Sequence, residues 1–161
     1  MFRVGIGYDI HAFAPPDSGR RLFLGGVMIE GAPGLAGHSD ADVLIHSICD
    51  AVLGALGLGD LGRHFPDSDP HLKGVSSIVL LEKVGLLMSG QGYRLINIDA
   101  VVIAQTPKIA PRTSEMKRLI AGALGATEAE VNIKGTSPEG LGALGRTEGI
   151  AAESIALIGR I

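Results

Sequence analysis

Segments with the hydrophobic period of a β-strand alternate along this chain with segments that have the period of a helix, and this limits the folds available to it. The alternating, β-branched pattern of strands occupies residues 2–8, 93–105 and 131–136. Apolar side chains at three- and four-residue steps predict helices over residues 40–56, 75–89 and 111–124. We therefore predict an α/β (α+β) sandwich, in which a mixed sheet is covered on one face by helices.

Two segments are less clear from their period. Residues 21–29 have an extended pattern, and Gly25-Gly26 within them predicts a bulge or a bend. Residues 149–161 fit a strand, although their alanines also allow a helix, and we predict a strand. Because no repeat or long linker divides the chain, we expect one domain over residues 1–161.

Polar residues and a loop-forming segment flank the first predicted helix. Ser39 or Asp40 can cap its start, and Asp42 lies in its first turn, where the helix dipole favours an acid. Residues 57–74, between the first two helices, are rich in Gly, Pro, Asp and His and predict a long functional loop. Residues 137–145 predict a second, Gly-rich loop.

Composition excludes several classes of partner. The chain has 17 acidic and 14 basic residues, so it lacks the dense positive surface of a nucleic-acid coat or a polybasic membrane anchor. Aromatic residues are 4% of the chain and Trp is absent, which argues against base stacking on single strands. No apolar run approaches the roughly 18 residues of a membrane span. The hydrophobic fraction of 46% indicates that some surface is buried between subunits.

The expected location is the cytoplasm. A lone cysteine, Cys49, cannot form an internal disulfide and fits a reducing compartment. A strand that begins at the initiator Met leaves no room for a signal or transit peptide.

Asp9, His11 and His46 are candidate metal ligands. Asp9 and His11 are two residues apart at a strand end, so their side chains point to the same side. His46 lies four residues from both Asp42 and Asp50 on one predicted helix face. Two His and one Asp leave a fourth tetrahedral position open, as in a catalytic zinc site. The alternatives are a loop-capping Asp beside a solvated His, and the polar outer face of an amphipathic helix.

Other polar segments could bind phosphate. His38 lies just ahead of a predicted helix N-terminus, where free amides attract phosphate, although an exposed loop histidine explains it equally well. Residues 134–140 offer a lysine, hydroxyls and a carboxylate without the spacing of a P-loop. Residues 106–108 could hold another phosphate or a base, or simply form a turn. Residues 65–70 lack the Gly and Glu of a calcium loop, and we interpret them as a turn-rich substrate loop.

Taken together, these motifs resemble the family of 2-C-methyl-D-erythritol 2,4-cyclodiphosphate synthases over essentially the whole chain. The resemblance rests on the blocks Gly5-x-Gly7-Tyr8-Asp9-x-His11, Gly37-His38-Ser39-Asp40-Ala41-Asp42-Val43-x-x-His46, Gly59-Asp60-Leu61-Gly62, Phe65-Pro66-Asp67-Ser68-Asp69, Ala104-Gln105-x-Pro107-Lys108, Glu139-Gly140-Leu141-Gly142 and Gly145-Arg146-x-Glu148-Gly149-Ile150.

The resemblance implies a homotrimer whose sheets face the three-fold axis and whose active sites lie between subunits. The reaction would be the metal-dependent cyclisation of 4-diphosphocytidyl-2-C-methyl-D-erythritol 2-phosphate with release of CMP, on the non-mevalonate (MEP) route to isoprenoids. Zn²⁺ would be bound by Asp9, His11 and His46, and Mg²⁺ or Mn²⁺ by Glu139 with the substrate diphosphate. His38 and Ser137 would stabilise the transition state.

The family's substrate-binding positions map onto two groups of residues. The methylerythritol phosphate end would contact Asp60, Leu61, Gly62, Phe65, Pro66, Asp67, Ser68 and Asp69. The cytidine diphosphate end would contact Ala104, Gln105, Thr106, Pro107, Lys108, Ile109, Ala110, Thr136, Ser137, Pro138, Glu139 and Arg146 of the neighbouring subunit. Further substrate-binding positions would be Asp9, Ile10, His11, His38, Ser39 and Ala143. Ser137 replaces the usual Thr and keeps its hydroxyl, whereas Ala143 replaces a common aromatic residue and loses its bulk.

Two rival functions use the same residues. A zinc hydrolase would activate water at the Asp-His-His site and would need a general base, for which Asp42 or Asp67 qualifies. A non-catalytic trimeric binding protein would use the metal only to pin an interface. The phosphate-binding residue types around Lys108, Lys134 and Glu139 favour the cyclase over both.

Overall fold

The chain forms six strands and five α-helices in the computed structural model, which describes all 161 residues. The strands are β1 (Phe2–Ala12), β2 (Arg21–Leu24), β3 (Val27–Pro33), β4 (Tyr93–Ile103), β5 (Val131–Thr136) and β6 (Gly149–Arg160). The helices are α1 (Val43–Leu56), α2 (Leu61–His64), α3 (Ser77–Gly90), α4 (Thr113–Leu124) and α5 (Gly142–Gly145). The predicted C-terminal strand is confirmed as β6.

Four strands form a mixed sheet in the order β1-β6-β4-β5. β6 is antiparallel to both β1 and β4, whereas β4 and β5 are parallel and are connected through α4. α1 packs on β1 and β6, α3 packs on α1, and α4 packs on α3 and β5. The predicted α/β class with a mixed sheet is therefore confirmed. None of the helices combines the length and the apolar character that crossing a membrane requires.

The contact between β1 and α1 is unusually close. A Cβ atom at Gly5 would lie 2.0 Å from the Ala51 carbonyl oxygen, and one at Gly7 would lie 2.0 Å from the Ser47 carbonyl oxygen. Only glycine fits at both positions, so the strand and the helix meet backbone to backbone. This contact sets the distance between the functional side chains of β1 and those of α1.

The opposite face of the sheet is apolar and open. Alternate β1 side chains point away from α1 and are 50–70% exposed; these residues are Phe2, Val4, Ile6, Tyr8 and Ile10. Ile155 of β6 adds to this face, with 48% of its surface exposed. We call these six residues the open face. A contiguous apolar surface of this kind is typical of a protein–protein interface.

Two local predictions were wrong. Gly25-Gly26 is neither a bulge nor a bend within one segment, but the two-residue turn of the β2–β3 hairpin, and both residues have positive φ (59° and 78°). α1 begins at Val43 and its N-cap is Asp42, whose side chain accepts a hydrogen bond from the Ile45 amide. Ser39 and Asp40 lie before the helix, because Asp42 also accepts hydrogen bonds from both amides of the glycine turn.

The two predicted loops contain short helices. α2 and a 3-10 turn at Pro70–Leu72 lie in the first loop, and α5 lies in the second. Helices of three or four residues are too short to show a hydrophobic period, so the sequence pattern does not reveal them. α3 also begins two residues later than predicted, at Ser77.

The loops with candidate site residues leave the same end of the sheet. The strand register pairs His11 with Ile150, Ala151 with Ile103, and Ile103 with Thr136. β1 and β5 are the two edges of the sheet, and three strand spacings place them about 14 Å apart. Residues that follow β1 and residues that follow β5 therefore form separate groups within one chain.

Candidate active site

Asp9, His11 and His46 converge at the end of β1. Asp9 Oδ2 is 3.1 Å from His11 Nε2 and 3.0 Å from His46 Nδ1, and one ligand atom of each residue lies within 4.8 Å of the others. The β-strand period brings Asp9 and His11 to the helix side, and the close contact of α1 with β1 brings His46 beside them. The interpretation of Asp9 as a loop cap beside a solvated histidine is therefore wrong.

The remaining nitrogen of each histidine is held by the protein. His11 Nδ1 donates to the Ala36 carbonyl oxygen at 2.5 Å. His46 Nε2 is 3.2 Å from Ser39 Oγ and 3.0 Å from Ser77 Oγ. Each imidazole thus turns its other nitrogen toward Asp9. This arrangement is typical of metal-binding histidines, whose outer nitrogen is fixed by a hydrogen bond.

Electrostatics couple the three side chains. Burial acts to raise the pKa of Asp9, but hydrogen bonds and charge from His11 and His46 hold that pKa well below its usual range. The hydrogen bond that His11 donates to Asp9 raises the pKa of His11 above its usual 6.5, against the opposing effect of burial. Asp9 is therefore an anion at neutral pH, as a metal ligand must be. The donor set of two imidazole nitrogens and one carboxylate fits a zinc site with an open fourth position.

A cavity of about 530 Å³ opens beside this cluster. Its lining includes the predicted residues Asp9, His11, His38, Ser39, His46, Asp60, Leu61, Gly62, Phe65 and Asp67. The other predicted residues of this group, Ile10, Pro66, Ser68 and Asp69, do not line it. The Ile10 side chain lies on the open face of the sheet, and Asp69 contributes its carbonyl oxygen, 3.3 Å from His38 Nε2.

The predicted helix face of Asp42, His46 and Asp50 is divided in the structure. His46 and Asp50 line the cavity, and Asp50 also accepts a hydrogen bond from the Leu61 amide at 2.7 Å, which ties α2 to α1. Asp42 is fully buried at the hairpin turn, away from the cavity. Asp42 is thus excluded as the general base of a hydrolase. The polar-outer-face interpretation is also wrong, because nearly all of α1 is buried.

A second cavity, of about 450 Å³, lies at the β5 side of the same sheet end. Its lining includes the predicted residues Ala104, Gln105, Pro107, Lys108, Ile109, Ala110, Thr136 and Ser137. The loop after β5 is fixed to this cavity, because the Gly140 amide donates to Gln105 Oε1 at 3.1 Å and the Glu139 amide donates to Ser137 Oγ at 3.0 Å.

Five predicted residues and one candidate cation lie outside the second cavity. The five are Thr106, Pro138, Glu139, Ala143 and Arg146. Arg146 is exposed and its Nε lies 2.6 Å from Glu148 Oε1. Lys134, a candidate phosphate ligand, is instead bound to Asp99 at 2.6 Å on the sheet surface, because its position in β5 points it away from the loop. Lys108 is the lysine that lines the cavity.

Sequence reasoning missed the residues that support the site. Arg20 donates to the Leu35 carbonyl oxygen at 2.6 Å and to the Ser39 carbonyl oxygen at 2.5 Å, and so holds both ends of the loop that carries His38. Ser77 contacts His46 from the start of α3. Neither residue belongs to a motif with ligand spacing, so no local signal in the sequence identifies them.

Comparisons with known proteins agree on one family. The model of the YgbB family matches residues 2–159. The 2-C-methyl-D-erythritol 2,4-cyclodiphosphate synthase of Caldicellulosiruptor bescii is 54% identical over 158 residues, which are 98% of this chain and 99% of that protein. The structure of IspF from Plasmodium falciparum in a CDP complex is similar with a TM-score of 0.86 at 35% identity, over 99% of this chain and 96% of that one.

One relative is considerably longer than this chain. The bifunctional enzyme IspD/IspF of Anaeromyxobacter dehalogenans is 58% identical over 156 residues, which are 97% of this chain but 39% of that protein. The chain therefore spans about two fifths of the length of this bifunctional relative.

Proposed function

The chain belongs to the YgbB family of 2-C-methyl-D-erythritol 2,4-cyclodiphosphate synthases, and from this premise we propose that it cyclises 4-diphosphocytidyl-2-C-methyl-D-erythritol 2-phosphate with release of CMP. The reaction belongs to the non-mevalonate (MEP) route to isoprenoid precursors. The observation that carries the proposal is the convergence of Asp9, His11 and His46 in the lining of a cavity that His38 also lines.

The reaction needs no nucleophile from the protein. An oxygen of the 2-phosphate attacks the β-phosphorus of the diphosphate, the bond from that phosphorus to the bridging oxygen breaks, and CMP leaves with this oxygen. Catalysis then consists of holding the two ends of one molecule together and neutralising charge on the transferred phosphoryl group. The state of Cys49 is consistent with this, because burial raises the pKa of its thiol and no solvent reaches it.

Two metal sites are part of the proposal. Asp9 Oδ2, His11 Nε2 and His46 Nδ1 would hold Zn²⁺, which when bound supplies Lewis acidity toward a substrate phosphate. Glu139, on the loop after β5, would hold Mg²⁺ or Mn²⁺ together with the diphosphate. The metal identities follow from the resemblance and from the donor types, since carboxylate oxygens suit Mg²⁺ and imidazoles suit Zn²⁺.

The two cavities divide the substrate between them. The cavity beside the Asp-His-His cluster would bind the methylerythritol phosphate end, where His38 and Ser39 can donate hydrogen bonds to phosphate oxygens. The second cavity would bind the cytidine diphosphate end, where Lys108 supplies charge and Ser137 a hydroxyl. The related Plasmodium structure in a CDP complex supports the presence of a cytidine diphosphate site in this fold.

The separation of the cavities supports an active site shared between subunits. Within one chain they lie at opposite edges of the sheet, about 14 Å apart by strand spacing. A second copy could bring its β5 edge to the β1 edge of the first. The open face gives the apolar surface for such an assembly, and we propose a homotrimer in which the open faces meet at the three-fold axis.

The trimer is tested by a charge on the open face. Ile6 is 62% exposed, so Ile6→Lys preserves the fold of the single chain but buries a charge in the assembly. We expect monomers in sedimentation, loss of turnover and retained Zn²⁺ binding, because all three ligands belong to one chain. Sedimentation of this variant as a trimer would contradict the proposed interface.

The activity is tested by phosphorus NMR of the purified protein with the cytidine-diphosphate substrate, Zn²⁺ and Mg²⁺. Free CMP with a cyclic diphosphate is expected. CMP with an open-chain product would mean that water is the nucleophile and that the protein is a hydrolase. No turnover by the folded, metal-loaded protein would favour a binding protein.

The zinc site is tested with a matched pair of histidine variants. His46→Ala should lose bound zinc and turnover, whereas His71→Ala should retain both, because His71 is exposed and lies outside the cavity. Unchanged zinc stoichiometry in His46→Ala would remove His46 from the ligand set.

A further inference from the structure

A chain of buried hydrogen bonds connects His46 to the start of α3. Ser77 Oγ lies 3.0 Å from His46 Nε2 and is also hydrogen-bonded to Asp40 Oδ1. Asp40 Oδ2 accepts a second hydrogen bond, from the Ser77 amide at 2.9 Å. Ser77 is fully buried and His46 is 8% exposed, whereas Asp40 is half-buried. Asp40 therefore holds Ser77 by both its hydroxyl and its backbone amide.

The donor and acceptor of each hydrogen bond in this chain are fixed. The Ser77 hydroxyl donates to Asp40 Oδ1, so its single proton points to Asp40. The lone pairs of Ser77 Oγ then face His46, and Nε2 must carry the proton that they accept. In the metal-free protein Nδ1 donates to Asp9 Oδ2, 3.0 Å away, and it is this proton, not the one on Nε2, that a metal ion would displace.

Ser39 also contacts His46 Nε2, but it does not determine whether this nitrogen carries a proton. Its Oγ accepts a hydrogen bond from the Ala41 amide at 3.2 Å and lies 3.2 Å from His46 Nε2, but its own proton has no fixed acceptor. Ser39 is therefore compatible with either tautomer of His46. Ser77 is not, because Asp40 fixes its proton.

We propose that Ser77, held by Asp40, is a positioning residue that fixes the tautomer of His46 and so presents Nδ1 as a metal ligand. This inference rests on the proposed metal role of the Asp-His-His cluster. It also explains why the loop before α1 carries Asp40: backbone hydrogen bonds from Asp40 to Val75 and from Gly74 to His38 fasten this loop to the start of α3. The first turn of α3 is thereby part of the metal site.

Asp40→Asn tests the direction of the protons at nearly constant shape. The asparagine oxygen keeps the 2.9 Å hydrogen bond from the Ser77 amide and gives up the longer one, 3.3 Å, from the Asp42 amide, so its NH₂ group faces Ser77 Oγ and donates to it. The Ser77 proton must then turn to His46 Nε2, which favours the wrong tautomer. Ser77→Ala removes the hydroxyl group that connects Asp40 to His46. Ser47→Ala is the matched control, because Ser47 is equally buried and adjacent to His46 in sequence, but bonds Ser154 and the Leu44 carbonyl oxygen.

Two measurements are needed for each variant. Long-range proton–nitrogen NMR of the ¹⁵N-histidine-labelled, metal-free protein reports the tautomer of His46. Competition with a chromophoric chelator reports Zn²⁺ affinity. In the wild type and Ser47→Ala we expect Nε2 to carry a proton, and we expect equal affinity. In Asp40→Asn and Ser77→Ala we expect the Nδ1–H form to appear and the affinity to fall about 10- to 100-fold.

The outcomes separate this inference from the proposed function. Unchanged tautomer and unchanged zinc affinity in folded Asp40→Asn or Ser77→Ala would overturn the positioning role while leaving the metal site intact. Failure of the wild type to bind Zn²⁺ would overturn the metal site. The NMR measurement would still show whether Asp40 and Ser77 fix the proton on His46. If Ser77→Ala does not fold, the tautomer in Asp40→Asn decides.

Discussion

Replacement of Gly7 by alanine would place a methyl group inside the contact between β1 and α1. The new Cβ would lie 2.0 Å from the Ser47 carbonyl oxygen, 2.7 Å from the Ala51 nitrogen and 2.9 Å from the Asp50 Cβ. The first two are backbone atoms of a helix and cannot rotate away. The strand and the helix must therefore separate by about 1 Å or more to reach a normal contact distance.

This separation has a cost in stability and a cost at the site. Overpacking of this kind destabilises by about 1–3 kcal/mol, and we expect the upper end because rigid backbone is displaced. For a chain of this length, about 3 kcal/mol lowers the melting temperature by about 6–12 °C. Metal ligands tolerate displacements of only about 0.2 Å, and Gly7 lies two residues from Asp9. We therefore expect Zn²⁺ affinity to fall by at least about tenfold.

Gly54→Ala is the matched control on the same interface. Its Cβ would lie 3.8 Å from the Ile6 carbonyl oxygen, an ordinary contact, and alanine is favoured over glycine in a helix by about 0.5–1 kcal/mol. Thermal melts and chelator competition should show this variant to be as stable as the wild type or more so, with equal zinc affinity. A Gly7→Ala protein that melts and binds zinc like the wild type would refute the argument that this contact sets the site geometry.

Three further predictions concern polar residues. Arg20→Gln should weaken Zn²⁺ binding about tenfold, because residues 35–39 lose the hydrogen bonds that Arg20 donates to the Leu35 and Ser39 carbonyl oxygens. Arg21→Gln, at an exposed neighbouring position, should leave Zn²⁺ binding unchanged. Chelator competition measures the Zn²⁺ affinity of both variants. In metal-free protein, the pKa of His11 is raised by Asp9, so its stabilising charge is present below pH 6.5 and is lost as the pH rises through that higher pKa. Urea titrations of wild type and His11→Gln should therefore converge at high pH, and a constant difference would contradict this. Burial raises the pKa of Asp42 to about 6. The stability of the wild type relative to Asp42→Asn should therefore fall as the pH rises from about 4 to 6, and stay constant above pH 6. A stability difference that does not change with pH would contradict this prediction.

The sequence predicted best those features that depend on period alone. Alternation over residues 93–105 and the four-residue steps from Leu44 to Leu56 each have one structural solution, so the major strands and helices were correct. The i, i+2 spacing of Asp9 and His11 also fixed their shared side, because they lie in a regular strand.

The features that were missed depend on contacts between distant parts of the chain. Asp42 was predicted in the first turn of a helix that begins earlier, but the hairpin turn offers it two amides and draws it out as the cap. The contact of Asp40 with Ser77 joins residues 37 positions apart and exists only because the loop before α1 returns to the start of α3. No period or local propensity contains such information.

The placement of the two cavities at opposite edges of one sheet has a consequence for mixed populations of chains. In the proposed trimer, every active site combines the first cavity of one chain with the second cavity of its neighbour. A trimer made only of His46→Ala chains and a trimer made only of Glu139→Gln chains are then both inactive, but the two variants complement each other when they are mixed. Every mixed trimer then contains one junction at which both intact halves meet. Random co-assembly of equal amounts restores about a quarter of wild-type activity, whereas a site contained within each chain restores none.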